Sequence, residues 1–106
     1  MLILTIKKKW FDMILSGEKK EEYREIKPYY KTRFCNWFGI IVGKEGNIIR
    51  PCLGDQPVIF RNGYSKNSPS LTAMCCVKVG TGKEEWGAEK GKEYFVLTIN
   101  ESKVAE

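Results

Sequence analysis

The charged segment GEKKEEYR, which begins at Gly17, holds the residue types best suited to acid–base or anion-binding chemistry. If it forms a strand, Glu22 and Arg24 lie two residues apart on one face, and the Gly17 turn brings Lys19 toward the same side. Tyr23 is its only apolar side chain, so the segment is either an exposed edge strand or the lining of a cleft. The sequence contains no histidine, which excludes serine–histidine and cysteine–histidine nucleophile systems and leaves proton transfer to Lys, Glu, Asp, Tyr or Cys.

A second basic group stands at the start of a predicted helix. Lys7, Lys8 and Lys9 precede Trp10, and no Ser, Thr, Asp or Asn is placed to cap the first turn. Cations at that end oppose the helix dipole, whereas uncapped N–H groups next to lysines favour an anion. The alternative is that these lysines point into solvent.

A third candidate follows the Asn62-Gly63 turn. There Tyr64 stands next to Ser65 and Lys66, a combination suited to base stacking with a phosphate contact. A plain solvent loop is an equally open interpretation. The other prominent aromatic residues are predicted to pack in the core or against helices: Tyr29, Tyr30, Trp37 and Trp86.

The length of 106 residues accommodates one domain, spanning 1–106, and the net charge of +5 is unevenly distributed. Residues 1–50 hold eleven basic and six acidic side chains, whereas residues 51–106 hold seven of each. Such a distribution favours a patch for phosphates or nucleic acid, although ordinary solubility charge would also account for it.

The cysteines give no metal-binding pattern. Cys35, Cys52, Cys75 and Cys76 lack C-x-x-C spacing, and the adjacent pair would point to opposite faces of a strand. We therefore predict free thiols in a reduced, cytoplasmic protein without a metal or cofactor. No apolar stretch approaches 18 residues, so no membrane span is expected.

Hydrophobic periodicity predicts an α+β fold. Strands are expected at Leu2–Ile6, Lys19–Ile26, Pro57–Phe60, Leu71–Val79 and Tyr94–Ile99, with a short hairpin between Gly39 and Gln56. Helices are expected over Trp10–Leu15, ended by Gly17, and over Tyr29–Phe38. Five or six mainly antiparallel strands with two short helices indicate a small β-barrel that carries the helices on its rim.

The pattern Gly17-x-Lys19-x-x-Glu22-x-Arg24 resembles the G-x-K-x-x-E-x-R signature of the ASCH domain, a branch of the PUA-like superfamily. The order of elements around it is also similar: an initial strand, lysines, a helix containing Trp10, and then the signature. A closing Glu85–Ala88 turn before the last strand extends the resemblance over essentially the whole chain.

This resemblance implies a PUA-like β-barrel that binds RNA through a cleft lined by the signature residues. It also implies an alternative, since some small ASCH proteins hydrolyse acylated cytidine nucleosides and others are linked to cleavage of single-stranded RNA. In the amidohydrolase branch the lysine that matches Lys19 acts beside a threonine nucleophile. Glu22 stands in place of that threonine here, which weakens the amidohydrolase interpretation.

We therefore expect a monomer that binds RNA or a nucleotide-like ligand, with a small hydrolase using Lys19 and Glu22 as the alternative and a protein-interaction module as a third possibility. Lys19 would contact phosphate or a developing anion, and Glu22 would act as a base or accept a hydrogen bond from an exocyclic amine. Arg24 would hold Glu22 or clamp a phosphate, unless the two form only an ion pair. Lys7 and Lys8 would extend the positive rim. Truncating Lys19 or Glu22 is expected to impair function far more than stability.

Overall fold

The computed structural model describes residues 1–104 as seven strands, two α-helices and one 3-10 turn. In chain order the strands are β1 (Leu2–Thr5), β2 (Glu21–Arg24), β3 (Ile41–Val42), β4 (Ile48–Arg50), β5 (Gln56–Arg61), β6 (Ser70–Thr81) and β7 (Glu93–Val104). The helices are α1 (Lys8–Leu15) and α2 (Pro28–Phe38), and the 3-10 turn covers Glu84–Trp86.

Five strands form one curled sheet in the order β1-β5-β6-β7-β2, which makes a half-barrel, and β3 and β4 pair as a separate hairpin. β1 runs parallel to β5, whereas the other three pairs in the main sheet are antiparallel. The sheet is therefore mixed, because the chain passes from β1 to β5 through both helices instead of through a tight turn. The two edge strands of this sheet are β1 and β2.

The main core fills the concave side of the sheet. Side chains from β5, β6 and β7 meet residues of both helices there, and Phe34 stacks edge-on against Phe95 with ring centroids 5.2 Å apart. A second, smaller cluster contains Ala88, Tyr94 and Val96, with Tyr23 packed against it. Because alternate residues of β7 enter different clusters, the sheet has apolar packing on both faces at this edge.

The predicted helices and strands are confirmed, with small shifts at their ends. α1 begins at Lys8, two residues before the predicted start, and Gly17 follows it with a φ of 84°, the left-handed conformation expected after a helix. β6 and β7 each extend beyond the predicted range to 12 residues. The segment predicted as a strand over Lys19–Ile26 is extended only over Glu21–Arg24, where it pairs with β7.

The prediction that all four thiols are free was wrong for two of them. Cys52, in the loop after β4, forms a disulfide with Cys76 of β6, while Cys35 and Cys75 are free. The prediction that the adjacent cysteines face opposite ways is consistent with this pairing, because Cys75 is fully buried in the main core. The bonded cysteines are 24 positions apart in the sequence, and only the return of the chain past β6 brings them together. The cytoplasmic location, which was inferred from free thiols, stays a prediction.

Among the described residues, no helix has the length and apolar character needed to cross a membrane.

Candidate functional site

The residues of the charged segment meet at a cavity of about 420 Å³ beside β2. Its walls come from β1, β2, the first turns of both helices and the chain that follows the 3-10 turn. The charged residues that line it are Lys7, Glu22, Arg24, Glu25, Lys27, Glu89 and Lys92. The aromatic residues that line it are Trp10, Tyr23, Tyr30, Trp86 and Tyr94. We call this space the Glu22 cavity.

The register of β2 against β7 explains why two charged side chains face inward. Glu22 pairs with Leu97 and Arg24 with Phe95, and both partners belong to the main core. Directly paired residues share a face of an antiparallel sheet, so Glu22 and Arg24 lie at the border of that core. The predicted common face is therefore confirmed, and the segment is both an edge strand and a cavity wall.

Lys19 is buried behind the cavity wall. Its side chain is 0% exposed, and its Nζ lies 3.2 Å from Glu22 Oε1 and donates a hydrogen bond of 2.9 Å to the carbonyl oxygen of Trp86. The ammonium group also lies 5.0 Å from the ring of Trp10 and 4.9 Å from that of Tyr23. The Lys19 backbone N–H donates to the Met13 carbonyl at the end of α1, so the turn after the helix directs this side chain inward.

Burial affects the pKa values of Lys19, Arg24 and Tyr23. Desolvation lowers the pKa of Lys19, and the attraction of Glu22 offsets that effect only in part. Burial also acts against the charge on Arg24, but Glu22 and Tyr30 outweigh it and raise the pKa of the guanidinium. Desolvation raises the pKa of Tyr23, whose hydroxyl donates to Glu21 and accepts from the Lys83 N–H.

Arg24 connects the two edges of the half-barrel. Its Nη2 donates to Glu22 Oε2 at 2.8 Å and to the Thr5 carbonyl of β1 at 3.0 Å, and its Nη1 donates to the Tyr30 hydroxyl at 3.2 Å. Its Nε is buried and has no hydrogen-bond partner among the described residues. This bridge from β2 to β1, which we call the seam, forms the floor of the Glu22 cavity.

Both helices begin at this cavity. Lys7 is the N-cap residue of α1 and Lys27 that of α2, and neither end has a side-chain capping hydrogen bond. The positive ends of two helix dipoles therefore add to the lysine charges at the rim. Within the described part of the chain, Lys7, Lys27 and Lys92 form no ion pair.

In the wall opposite β2, the backbone at Gly87 packs closely against the ring of Trp10. Gly87, with a φ of 101°, lies against the ring of Trp10, and a Cβ at that position would stand 3.0 Å from Trp10 Cζ2. The hydrogen bond from Lys19 to the Trp86 carbonyl fixes the same turn from inside. Trp86 itself is half-buried and lines the cavity, so it serves the wall and not the main core.

The structure brings some of the predicted site residues together and not others. Lys7, Glu22 and Arg24 line the Glu22 cavity, and Lys19 supports its wall from behind. Tyr64 lines a second cavity that adjoins the first.

The remaining predicted residues lie elsewhere. Lys8 is 78% exposed and pairs with Asp12, and it lines none of the cavities found in the described residues. Ser65 and Lys66 are exposed and do not line either of the two adjoining cavities, and the Ser65 hydroxyl accepts from the Asn67 N–H within the loop.

Several charged residues that line the cavity were not among the site residues predicted from the sequence. Lys27 could have been found, because it precedes Pro28 at the start of a predicted helix and repeats the arrangement of Lys7 before α1. Glu89 and Lys92 carry no such signal, since only the fold of the turn after Trp86 brings them to the cavity. Of the four aromatic residues predicted to pack, Trp37 and Tyr30 contact the main core, whereas Tyr29 is 56% exposed.

We expected that truncating Lys19 or Glu22 would change stability little. The premise of that expectation was wrong. It assumed that the strand buries few of their atoms, but Lys19 is 1% exposed and Glu22 is 6% exposed. Removing one charge of a buried pair leaves the other without compensation, which costs about 3–5 kcal/mol.

The arrangement leaves Glu22 able to accept further hydrogen bonds. A carboxylate has about four lone-pair sites on its two oxygens, and Lys19 and Arg24 each occupy one. Across residues 1–104, no group of three or more Cys, Asp or Glu side chains is placed to hold a metal ion. The groups that line the cavity are cations, carboxylates and aromatic rings.

Comparisons of this chain with protein-family models, with curated proteins and with solved structures find no match.

Proposed function

We propose that this protein is a PUA-like domain of the ASCH type that binds RNA or a nucleotide-like ligand in the Glu22 cavity. The order of its elements and the ion pairs that join Lys19 and Arg24 to Glu22 support the ASCH assignment. The curled sheet supports the PUA-like barrel, in which the helices stand on the rim.

One observation carries the proposal: the buried carboxylate of Glu22 is held by Lys19 and Arg24 at a cavity whose lining carries three lysines and five aromatic rings beside the carboxylates of Glu25 and Glu89. Glu22 is fixed by Lys19 and Arg24, and its free lone pairs would accept hydrogen bonds from the exocyclic amine of a base. Such a buried polar group selects its ligand, because a molecule that lacks the donor leaves the carboxylate poorly solvated.

The rim suits the other parts of a nucleotide. Lys7, Lys27 and Lys92 offer three ammonium groups to phosphate, next to the uncapped first turns of α1 and α2. Trp10 and Trp86 offer half-buried rings to the face of a base. A volume of about 420 Å³ falls within the range of about 300–1,000 Å³ that small-ligand sites occupy.

The test is a titration of fluorescein-labelled single-stranded RNA followed by fluorescence anisotropy at several salt concentrations. With about three phosphate contacts, the logarithm of affinity should fall with the logarithm of salt at a slope near −2. Lys7→Ala and Lys27→Ala should each weaken binding and reduce the slope by about 0.7.

Lys8→Ala is the matched control, because Lys8 is adjacent in sequence but pairs with Asp12 away from the cavity. It should leave both affinity and slope unchanged. An affinity that does not change with salt concentration would count against the Glu22 cavity as the nucleic-acid site. So would equal losses of affinity in Lys7→Ala and Lys8→Ala.

The geometry favours binding over hydrolysis. A catalytic lysine must touch the substrate or the reacting atoms, but the Lys19 side chain is fully buried and does not line the cavity. We assign Lys19 the role of positioning Glu22 and the turn at Trp86. Release of acid from an N-acylated cytidine, abolished by Glu22→Gln in a folded variant, would establish the hydrolase alternative instead.

A further inference from the structure

A second cavity continues the Glu22 cavity along the seam. It has a volume of about 610 Å³ and shares five lining residues with the first: Thr5, Ile6, Lys7, Arg24 and Tyr30. Its other walls come from β1, from the start of α2 and from the loop between β5 and β6. The two cavities are thus halves of one cleft. The Arg24 bridge to Thr5 separates them, and Lys7 lines both. We call the second half the Tyr64 cavity.

Two exposed tyrosines border the Tyr64 cavity. Tyr64 is 93% exposed and Tyr29 is 56% exposed, so both rings present most of their surface to solvent. Ile3, 40% exposed, lies in the same lining, so these rings are part of an apolar surface and not isolated exposed residues. The Arg33 guanidinium lies 4.4 Å from the Tyr29 ring centroid and adds positive charge beside it.

The loop that carries Tyr64 is anchored. Asn62 donates from its side chain to the Ile6 carbonyl at 3.0 Å and from its backbone to the Pro69 carbonyl at 2.8 Å. The Ser68 N–H donates to the Ser65 carbonyl, and the Ser65 N–H donates to the Ser68 hydroxyl. These bonds hold the base of the loop against β1, so the Tyr64 ring stands at the mouth of the cavity without being packed into the core.

The positive charge of Lys7 lies at the boundary of the two cavities, where a phosphodiester would pass. Lys7 lines both cavities and forms no ion pair within residues 1–104, so its ammonium group is available at the boundary between them. A single strand alternates a flat base with an anionic linkage. The cleft repeats that order, with an aromatic cavity, a cation and a second aromatic border.

Resting on the function proposed above, we infer that the Tyr64 cavity is a subsite for a second nucleotide of the strand whose first nucleotide occupies the Glu22 cavity. The ligand class is a single-stranded polynucleotide of at least two nucleotides, with the linkage between them at Lys7 and the second base stacked on Tyr64. A free nucleoside or mononucleotide fills only half of this cleft.

The test compares mononucleotides with dinucleotides by calorimetric titration of the wild-type chain, with AMP and ApA and with CMP and CpC as probes. Each dinucleotide should bind at least about tenfold more tightly than its mononucleotide. Tyr64→Ala should weaken the dinucleotide about tenfold, about 1.4 kcal/mol, and leave the mononucleotide unchanged. Tyr64→Phe should keep the affinity, and Leu53→Ala, at an 88% exposed site outside both cavities, is the matched control.

A neutral linkage tests the position of the phosphate. Lys7→Ala should weaken binding of CpC but have little effect on its methylphosphonate analogue, in which the linkage carries no charge. Equal affinities for mononucleotide and dinucleotide, or equal losses for both probes in Tyr64→Ala, would overturn the second subsite while leaving the proposed function intact. Failure of every probe to bind would overturn both.

Discussion

Two regions at the periphery of the sheet are held to it by different means. At the seam, Arg24 of β2 donates a hydrogen bond to the Thr5 carbonyl of β1, and the largely buried ion pairs of Glu22 with Arg24 and Lys19 hold it there. Behind the hairpin, the disulfide between Cys52 and Cys76 fixes the chain after β4 to β6. One region uses buried charge and the other a covalent bond.

Each region leaves a cavity, but the linings differ. The cavity under the hairpin, of about 520 Å³, is bordered by hairpin residues 45–48 and by the apolar side chains of Val77 and Val79, with the exposed residues Lys78 and Glu93. The Glu22 cavity has a largely buried ion network at its floor. Buried ion pairs are costly to form, and apolar contacts often stabilise a fold equally well. The contrast shows that buried charge joins the strands at the seam, whereas a covalent bond and apolar contacts attach the hairpin region.

The largest expected effect is the loss of the central carboxylate at the seam. Glu22→Ala leaves Lys19 and Arg24 buried without a counter-charge, so the free energy of unfolding should fall by about 3–5 kcal/mol. Denaturant unfolding followed by circular dichroism measures this loss. Glu18→Ala, an exposed carboxylate just before the strand, should change it by less than about 0.5 kcal/mol.

The double variant Glu22→Ala/Arg24→Ala checks the same network. It should be more stable than the sum of the two single effects predicts, because the unpaired guanidinium is removed together with its partner. Additive effects would mean that the two side chains do not interact, and the contrast between the regions would fail at the seam.

Reduction of the disulfide is the next largest effect. Opening a cross-link between residues 24 positions apart should lower stability by about 3 kcal/mol, because the unfolded chain regains the freedom that the link removed. Thermal unfolding with and without dithiothreitol measures this change, and the Cys52→Ser/Cys76→Ser variant should no longer respond to reductant. If reduction also weakened nucleotide binding more than tenfold in the folded protein, the two regions would not be independent.

A smaller effect depends on pH and concerns the buried thiol of Cys75, the residue before the disulfide cysteine Cys76. Burial, with a lesser contribution from Asp55, raises the pKa of the Cys75 thiol from 9.0 to about 12. The unfolded chain then loses this proton above pH 9 while the folded chain keeps it. The stability from this group is therefore complete below pH 9 and declines by up to about 1.4 kcal/mol per pH unit toward pH 12.

Unfolding free energies of wild type and Cys75→Ala between pH 8 and 10.5 measure that decline. The variant should start less stable but lose less with rising pH, and the difference between the two proteins should narrow above pH 9. Parallel pH profiles would show that Cys75 is not the group that titrates.

The smallest expected effect concerns an exposed pair near the seam. Lys8 and Asp12 are 78% and 53% exposed, so Lys8→Ala should change stability by no more than about 0.5 kcal/mol. The same unfolding assay measures it. A loss as large as that of Glu22→Ala would show that burial does not distinguish the two ion pairs.

Local patterns in the sequence were sufficient to predict most of the elements. The spacing of apolar residues predicted both helices and the main strands, and Gly17 marked the end of α1 because few other residues adopt a positive φ. The alternation of a strand placed Glu22 and Arg24 on one face. These properties depend on neighbours within a few residues, so one chain segment contains the information.

The tertiary structure alone decided where those side chains lie and what they contact. The sequence left open whether the charged strand was exposed or enclosed, and pairing with β7 resolved this by setting Glu22 and Arg24 at the border of the core. The neighbours of Lys19 in the sequence do not predict its full burial, because its carbonyl partner is Trp86, 67 positions later. The disulfide and the cavity residues Glu89 and Lys92 likewise depend on contacts between distant segments. The packing of the whole chain determines which distant segments pair and which side chains become buried. The local spacing of residues therefore does not predict these contacts.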